Sequence, residues 1–484
     1  MLIITEIWQE LTPGSYSIQR ERLLSGPTTV ESQSNALNRC LGVAGALFLT
    51  LSAVTPASSV FVIVSGVIAQ AGTGALLSMA AAALLSVPIA YVYAELSSAF
   101  PIAGGEYCMV GYTLGRSAGF AVLGLAAFGG MLAPAALALG AGTYISVVIP
   151  GLSPTIVAIA IIAVTSILGI LHIRTNAWIT GIFLFLELLA LALLAGLGLW
   201  NVKRSLLELI THPVWVSGGA LQKTPLAVIV LATSISVFAY DGYGSAIYFS
   251  EEMRCAPRAI ARTILWALTI TVITEMLPVT AVLVGVPDLK SFLSSPNPFG
   301  EFVMAIGGRF LNIAISIGIA LAILNAVLAT TLQNARFFYS TGRDGTWHRH
   351  INKAFTTIHP RLRSPWIATL VPGLASIIMC FLGINLILVL TGTSIAVVYA
   401  AVCIAAISGR HSGTSSHATY RMPLYPFPPV IGLAALGYVF YVSALDPVFG
   451  RPSLLVDGAI VALSLGYYRL VLRNGDSWVL REHQ

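Results

Sequence analysis

Charge is what this chain has least of. Only 9% of its 484 residues are Asp, Glu, Lys or Arg, against roughly a quarter in a soluble globular domain. With 57% hydrophobic residues, so little polar surface excludes a chain that folds in water alone, and the lipid bilayer is the expected surrounding. Signatures of metal and nucleophile chemistry are also missing. The five cysteines, Cys40, Cys108, Cys255, Cys380 and Cys403, have no metal-type spacing and read as small hydrophobes. The eight histidines fall in loops, at the edges of apolar runs or near the C-terminus, which argues against a histidine proton relay in a membrane. No HExxH, GxSxG, P-loop or paired-cysteine pattern occurs, so no cofactor and no metal are expected. The net charge of +6 comes from arginines in short polar connections. It reads as membrane topology and excludes nucleic acid as a partner. Residues 1–40 lack the apolar core and small-residue cleavage site of a signal peptide and are expected to form a cytoplasmic N-terminal segment.

What the chain has in abundance is apolar runs. A membrane helix needs about 20 mostly apolar residues, and twelve runs qualify: 41–69, 75–100, 118–148, 156–171, 178–200, 226–249, 263–286, 310–339, 366–382, 386–408, 429–445 and 454–468. The fourth, ninth and last are short. With the N-terminus in the cytoplasm, nineteen of the 25 Lys and Arg fall inside and six outside. That bias predicts both termini inside, in the plasma (inner) membrane. The polar connection 340–365 is expected to hold a short amphipathic stretch on the membrane surface.

Two of these runs are broken near the middle. The first is interrupted by Thr55-Pro56-Ala57-Ser58-Ser59, the sixth by Tyr240-Asp241-Gly242-Tyr243-Gly244. Irregular backbone at membrane depth persists only where it is buried in protein or lines a cavity. Paired breaks at corresponding positions of two halves point to a transporter's binding site. Spans one to five and six to ten overlay as two units, each opening with a broken helix. An odd number of spans inverts the second unit relative to the first. The expected division is a repeat at 41–200, a second repeat at 226–408, two further helices at 427–472 and a cytoplasmic tail at 473–484.

At the first break Pro56 removes an N–H, and Thr55, Ser58 and Ser59 can satisfy freed backbone groups. A half-helix starting near Ser58 would point N–H groups into the gap, and one ending near Val54 would point carbonyls. The gap would then offer donors for a carboxylate and acceptors for an ammonium. A simple proline kink is the competing reading. At the second break Gly242 and Gly244 let backbone approach a ligand, while Phe238, Tyr240 and Tyr243 supply aromatic surface. Asp241 places a carboxylate deep in a span, at a cost of at least about 2.5–3.5 kcal/mol. Two roles are open for it: partner of a substrate amine, or carrier of the coupling proton. Glu187 and Glu275, midway along the fifth and seventh spans, read either as proton sites or as buried anchors. Asn325 in the eighth reads as a ligand in a cation or proton network, or as helix–helix glue. The glycines of the third span read first as packing positions, with Gly129-Gly130 as the pair that could line a cavity.

The connections resemble a known family. Residues 93–107 (YAELSSAFPIAGGEY) resemble the junction after span two in the amino acid–polyamine–organocation superfamily. Phe238-Ala239-Tyr240-Asp241-Gly242-Tyr243 resembles its broken span six. Ser250-Glu251-Glu252-Met253 followed by Pro257-Arg258-Ala259-Ile260 resembles its cytoplasmic signature after that span. Ala335–Tyr339 with Gly342-Arg343-Asp344-Gly345 resembles its loop after span eight. The resemblance implies an all-α polytopic membrane protein of twelve transmembrane helices. Its fold would be the five-plus-five inverted repeat of leucine-transporter type with two extra C-terminal helices. The implied activity is secondary transport of an amino acid or related amine, coupled to a proton or sodium, with the substrate between broken spans one and six and Phe238 gating it. Glu95, Glu251, Glu252 and Arg258 match cytoplasmic positions where ion pairs would stabilise one open state. The chain departs from the family in its Thr-Pro-Ala-Ser-Ser first break. It also has Gly244 where many members carry an acid. An exchanger of the same family is the alternative transport reading. A multispan enzyme fits poorly, because the polar connections hold no cluster of His, Asp and Glu.

Overall fold

The computed structural model describes Arg39, residues 41–148, 151–448 and 450–472, and Trp478. Arg39 and Trp478 apart, the expected N-terminal segment 1–40 with Cys40 and the tail 473–484 lie outside the described residues. The apolar runs fold as helices, the conformation that satisfies every backbone N–H and C=O within one segment. The first run comprises α1 (Val43–Val54), a single turn Pro56–Ser58, a π-helical stretch Ser59–Val64 and α2 (Ser65–Ala71). Then come α3 (Ala75–Ala99), α4 (Glu106–Leu114), α5 (Arg116–Val148), α6 (Pro154–Gly169), α7 (Ile173–Trp200) and the short α8 (Leu206–Thr211). An antiparallel hairpin of β1 (Val214–Ser217) and β2 (Ala220–Lys223) follows, with Val214 opposite Lys223.

The second half opens with α9 (Leu226–Ala239), which passes through Tyr240-Asp241-Gly242 into a 3₁₀ segment Tyr243–Glu252. It continues with α10 (Ala256–Gly285), α11 (Leu289–Ser294), α12 (Pro298–Arg343) and α13 (Arg349–Phe355). The last helices are α14 (Trp366–Met379), α15 (Ile384–Ser412), α16 (Phe427–Leu445) and α17 (Gly450–Tyr467). By length and composition, nine helical stretches among the described residues could cross a membrane. The first, Val43–Ala99, contains the turn at Gly72–Gly74 and so joins the first two expected spans. The fourth and ninth expected spans are the shorter helices Pro154–Gly169 and Trp366–Leu382.

Two boundaries differ from expectation for local reasons. Helix α12 starts twelve residues before the eighth apolar run, and Gly308, at φ 73°, bends it where the polar start meets the apolar body. The hairpin was not expected: it lies in a polar connection and is read only in three dimensions. It packs on Gly72, whose φ is 61° and where an added Cβ would stand 2.1 Å from Val214 O. Helix α13 occupies the connection expected to hold a short amphipathic stretch. The packing that positions the site is simple: α1 lies against α7, α10 and α12, while α5 packs against α12 and α15.

Candidate functional site

Both expected breaks are present, and they touch. Helix α1 ends at Val54, and only Thr55 leaves helical geometry, at φ 53° and ψ 70°. The break is shorter than the five residues expected, because a proline is well suited to the first position of a new helix. The second rod therefore starts at Pro56, not near Ser58. At the other break Gly242 adopts φ 106°, and a Cβ there would lie 3.1 Å from Val54 Cα. Glycine is thus needed both for the conformation and for the approach of the two rods. Ser59 Oγ donates to Ala239 O at 3.0 Å, joining the second rod of one break to the helix end of the other.

Two of the backbone donors at the first break are engaged within the protein. Pro56 has none, Ser59 N–H closes on Thr55 O at 3.0 Å, and Ala57 N–H donates to Glu187 Oε1 at 2.8 Å. The Thr55 hydroxyl lies 2.8 Å from Ser58 Oγ and 3.2 Å from the same Glu187 oxygen. The expectation that this half-helix directs its N–H groups into an open gap is corrected at Ala57, whose N–H is taken by Glu187. A carboxylate of the protein, from α7, sits on the helix start, where the dipole favours negative charge.

A cavity of about 230 Å³ opens between the breaks. Of the residues expected to bind substrate, Thr55, Ser58, Ser59, Phe238, Asp241 and Gly242 line it. Pro56, Ala57, Tyr240 and Tyr243 do not. Tyr240 is fully buried, and the Tyr243 ring packs edge-on against Tyr93 at 6.3 Å. Gly129 and Gly130 of α5 form part of the wall, so the cavity-lining alternative holds for that pair.

Two carboxylates face the cavity. Asp241 accepts a hydrogen bond from the Tyr399 hydroxyl of α15. Glu106, at the start of α4, accepts from Tyr93 at 3.2 Å and from Tyr248. The Tyr93 ring in turn lies 5.1 Å from that of Tyr399, so both acids belong to one tyrosine-linked cluster. Sequence reasoning missed Glu106, taking it only as part of the Gly-Gly-Glu-Tyr junction. An acid flanked by glycines in a chain so poor in charge was the available signal. Gly244 faces Tyr93: a Cβ would meet the ring at 2.8 Å.

The expected coupling residues Glu187 and Asn325 are fully buried behind the first break and outside the cavity wall. Asn325 Nδ2 donates to Ser52 Oγ at 3.0 Å. Glu275 is fully buried, and the Ser59 hydroxyl that donates to Ala239 O lies beside its carboxylate.

The expected ion-pair residues lie apart from the cavity, and their pairing differs from expectation in one member. Glu95 of α3 pairs with Arg410 of α15 at 2.5 Å and accepts from Met422 N–H at 2.7 Å. Glu251 pairs with Arg343, and Glu252 with the fully buried Arg336 at 3.1 Å. Arg258 sits exposed in the first turn of α10, and the acids beside it in sequence are bonded instead to arginines of α12. The parallel bridge Leu41–Met253 closes the same region, with Leu41 N–H donating to Glu252 O at 2.9 Å.

A family model described as amino acid permease matches residues 41–454. This chain belongs to that family, within the amino acid–polyamine–organocation superfamily. The permease is 28% identical to an uncharacterised transporter of Mycobacterium tuberculosis, over 70% of this chain and 72% of that one. It is 27% identical to the branched-chain amino acid permease BcaP of Lactococcus lactis, over 81% and 88%. It is 23% identical to the methylthioribose transporter of Bacillus subtilis, over 85% and 90%. The permease is a membrane transporter of a small molecule, not an enzyme.

Proposed function

We propose that this permease is a secondary active transporter that carries an amino acid or related amine across the plasma membrane, driven by a proton or cation gradient. In this reading the chain crosses the bilayer twelve times with both termini in the cytoplasm. Two inverted five-helix units rock around the breaks at Thr55 and Gly242. The observation that carries the reading is the cavity between the two breaks, walled by both and faced by Asp241. A buried carboxylate at a backbone interruption can hold an ammonium, or can take and release a proton. Glu187, Asn325 and Glu275 form a separate polar group on the far side of the first break, suited to sense the same movement. The names of relatives fit this range of cargo, one being a branched-chain amino acid permease and another a methylthioribose transporter.

Uptake into proteoliposomes tests the reading. Radiolabelled amino acids and amines are expected to accumulate when an inward proton or sodium gradient is imposed, and not when the gradient is collapsed. Uptake that requires internal substrate and ignores the gradients would replace coupled import with exchange. No uptake under any condition would reject transport by this site.

A further inference from the structure

The charged groups that face the cavity are of one sign. Glu106 and Asp241 reach it, and among the described residues no Lys, Arg or His lines it. Both acids sit at one pole, linked through the Tyr93–Tyr399 ring contact at 5.1 Å. The rest of the wall is mainly aliphatic and aromatic, with Phe238 and Phe337 as its phenyl rings. A cation set over such rings gains further attraction.

Donors for a substrate carboxylate on the wall are uncharged, the Ser245 hydroxyl and the Gln333 amide among them. The N–H of Ala57 is held by Glu187 at 2.8 Å, and Glu187 is fully buried and outside the cavity wall. Several hydroxyls on the wall donate elsewhere: Ser59 to Ala239 O, Thr330 to Ala326 O, Thr391 to Ile387 O and Ser394 to Asp457. A ligand carboxylate would be desolvated there beside two acids, with no Lys, Arg or His among the described lining residues, an arrangement that costs free energy.

Building on the transport reading above, we infer that the substrate is a compact organic amine without a carboxylate. Its ammonium group seats at the Glu106–Asp241 pole and its apolar body lies against the remainder of the wall. Glu187 occupies the helix start that would otherwise receive a substrate carboxylate, so the protein supplies that negative charge itself.

Matched pairs that differ only in the carboxylate test this. Isoamylamine is compared with leucine, and phenethylamine with phenylalanine, by thermal shift of the purified full-length protein and by uptake into proteoliposomes. Each amine is expected to bind about tenfold or more tightly than its amino acid. Asp241→Asn and Glu106→Gln keep side-chain shape and are each expected to weaken amine binding by a similar factor. Should either variant misfold, the hydroxyl analogue isoamyl alcohol serves instead, and it is expected not to compete with isoamylamine. Leucine or phenylalanine bound or carried in preference to its amine would overturn the inference and leave the transport reading standing. Amine binding unchanged in both variants, or full competition by isoamyl alcohol, would also overturn it. Failure to bind or carry either class would overturn both.

Discussion

At the scale of single residues, the site depends on a few groups in positions that other side chains could not hold. Asp241 is one, since its carboxylate faces the cavity and is bonded to Tyr399. Asp241→Asn keeps an oxygen for that hydroxyl but removes the charge and the titration. It is expected to abolish gradient-driven accumulation in proteoliposomes with little change in the melting temperature in detergent. Normal, pH-dependent uptake by the variant would remove Asp241 from the mechanism. Phe238 lines the cavity at the last turn before the break. Phe238→Ala is expected to raise KM or lower the maximal rate while the protein still folds, whereas unchanged kinetics would deny it a gating role. Both residues could be singled out in the sequence, because a charge or a helix breaker inside an apolar run is a local signal. Their partners could not. Tyr399 lies 158 positions from Asp241, and Ala57 lies 130 from Glu187. Nothing local marks such pairs.

At the scale of elements, most of the helices were legible as apolar runs, because in lipid the backbone has few other ways to satisfy itself. The two interruptions were legible too, from Pro56 and from the paired glycines. What the pattern did not reveal was how short the first break is and which way its donors face. Those properties depend on α7, which delivers Glu187 to the start of the second rod. The ion pairs were half legible: the acids stood out, but their arginines come from α12 and α15. Arg336 and Glu252 are both almost completely buried. Removing one partner of such a pair typically costs about 3–5 kcal/mol, while an apolar pair of similar volume can be neutral. Glu252→Ala is therefore expected to lower the melting temperature sharply. The double change Glu252→Met with Arg336→Met is expected to recover most of the loss. Equal melting of Glu252→Ala and wild type would show that the pair contributes nothing to stability.

At the scale of the whole molecule, Glu95 and Glu251 tie the two proposed halves together at the end where most arginines fall. Glu95 ties α3 to α15, and Glu251, paired with Arg343 inside the second half, also accepts from Ala103 N–H of the first at 3.1 Å. If that end is cytoplasmic, these bonds favour the state closed to the cytoplasm, and substrate release requires them to part. Glu95→Gln together with Glu251→Gln weakens both ties without adding bulk. The expected result is a population shifted toward cytoplasmic opening, by an amount set by the differential stability of the two states. A reporter cysteine can be placed at Ile63, on the cavity wall. Of the described native cysteines only Cys255 is exposed, so the background carries Cys255→Ser, with Cys40 replaced as well. In inside-out vesicles a membrane-impermeant thiol reagent is expected to label the Ile63→Cys reporter several-fold faster when both acids are neutralised, and slower again when substrate is added from the opposite side. Identical labelling rates with and without the two acids would mean that the pairs hold the fold together but do not set which side of the membrane the cavity faces.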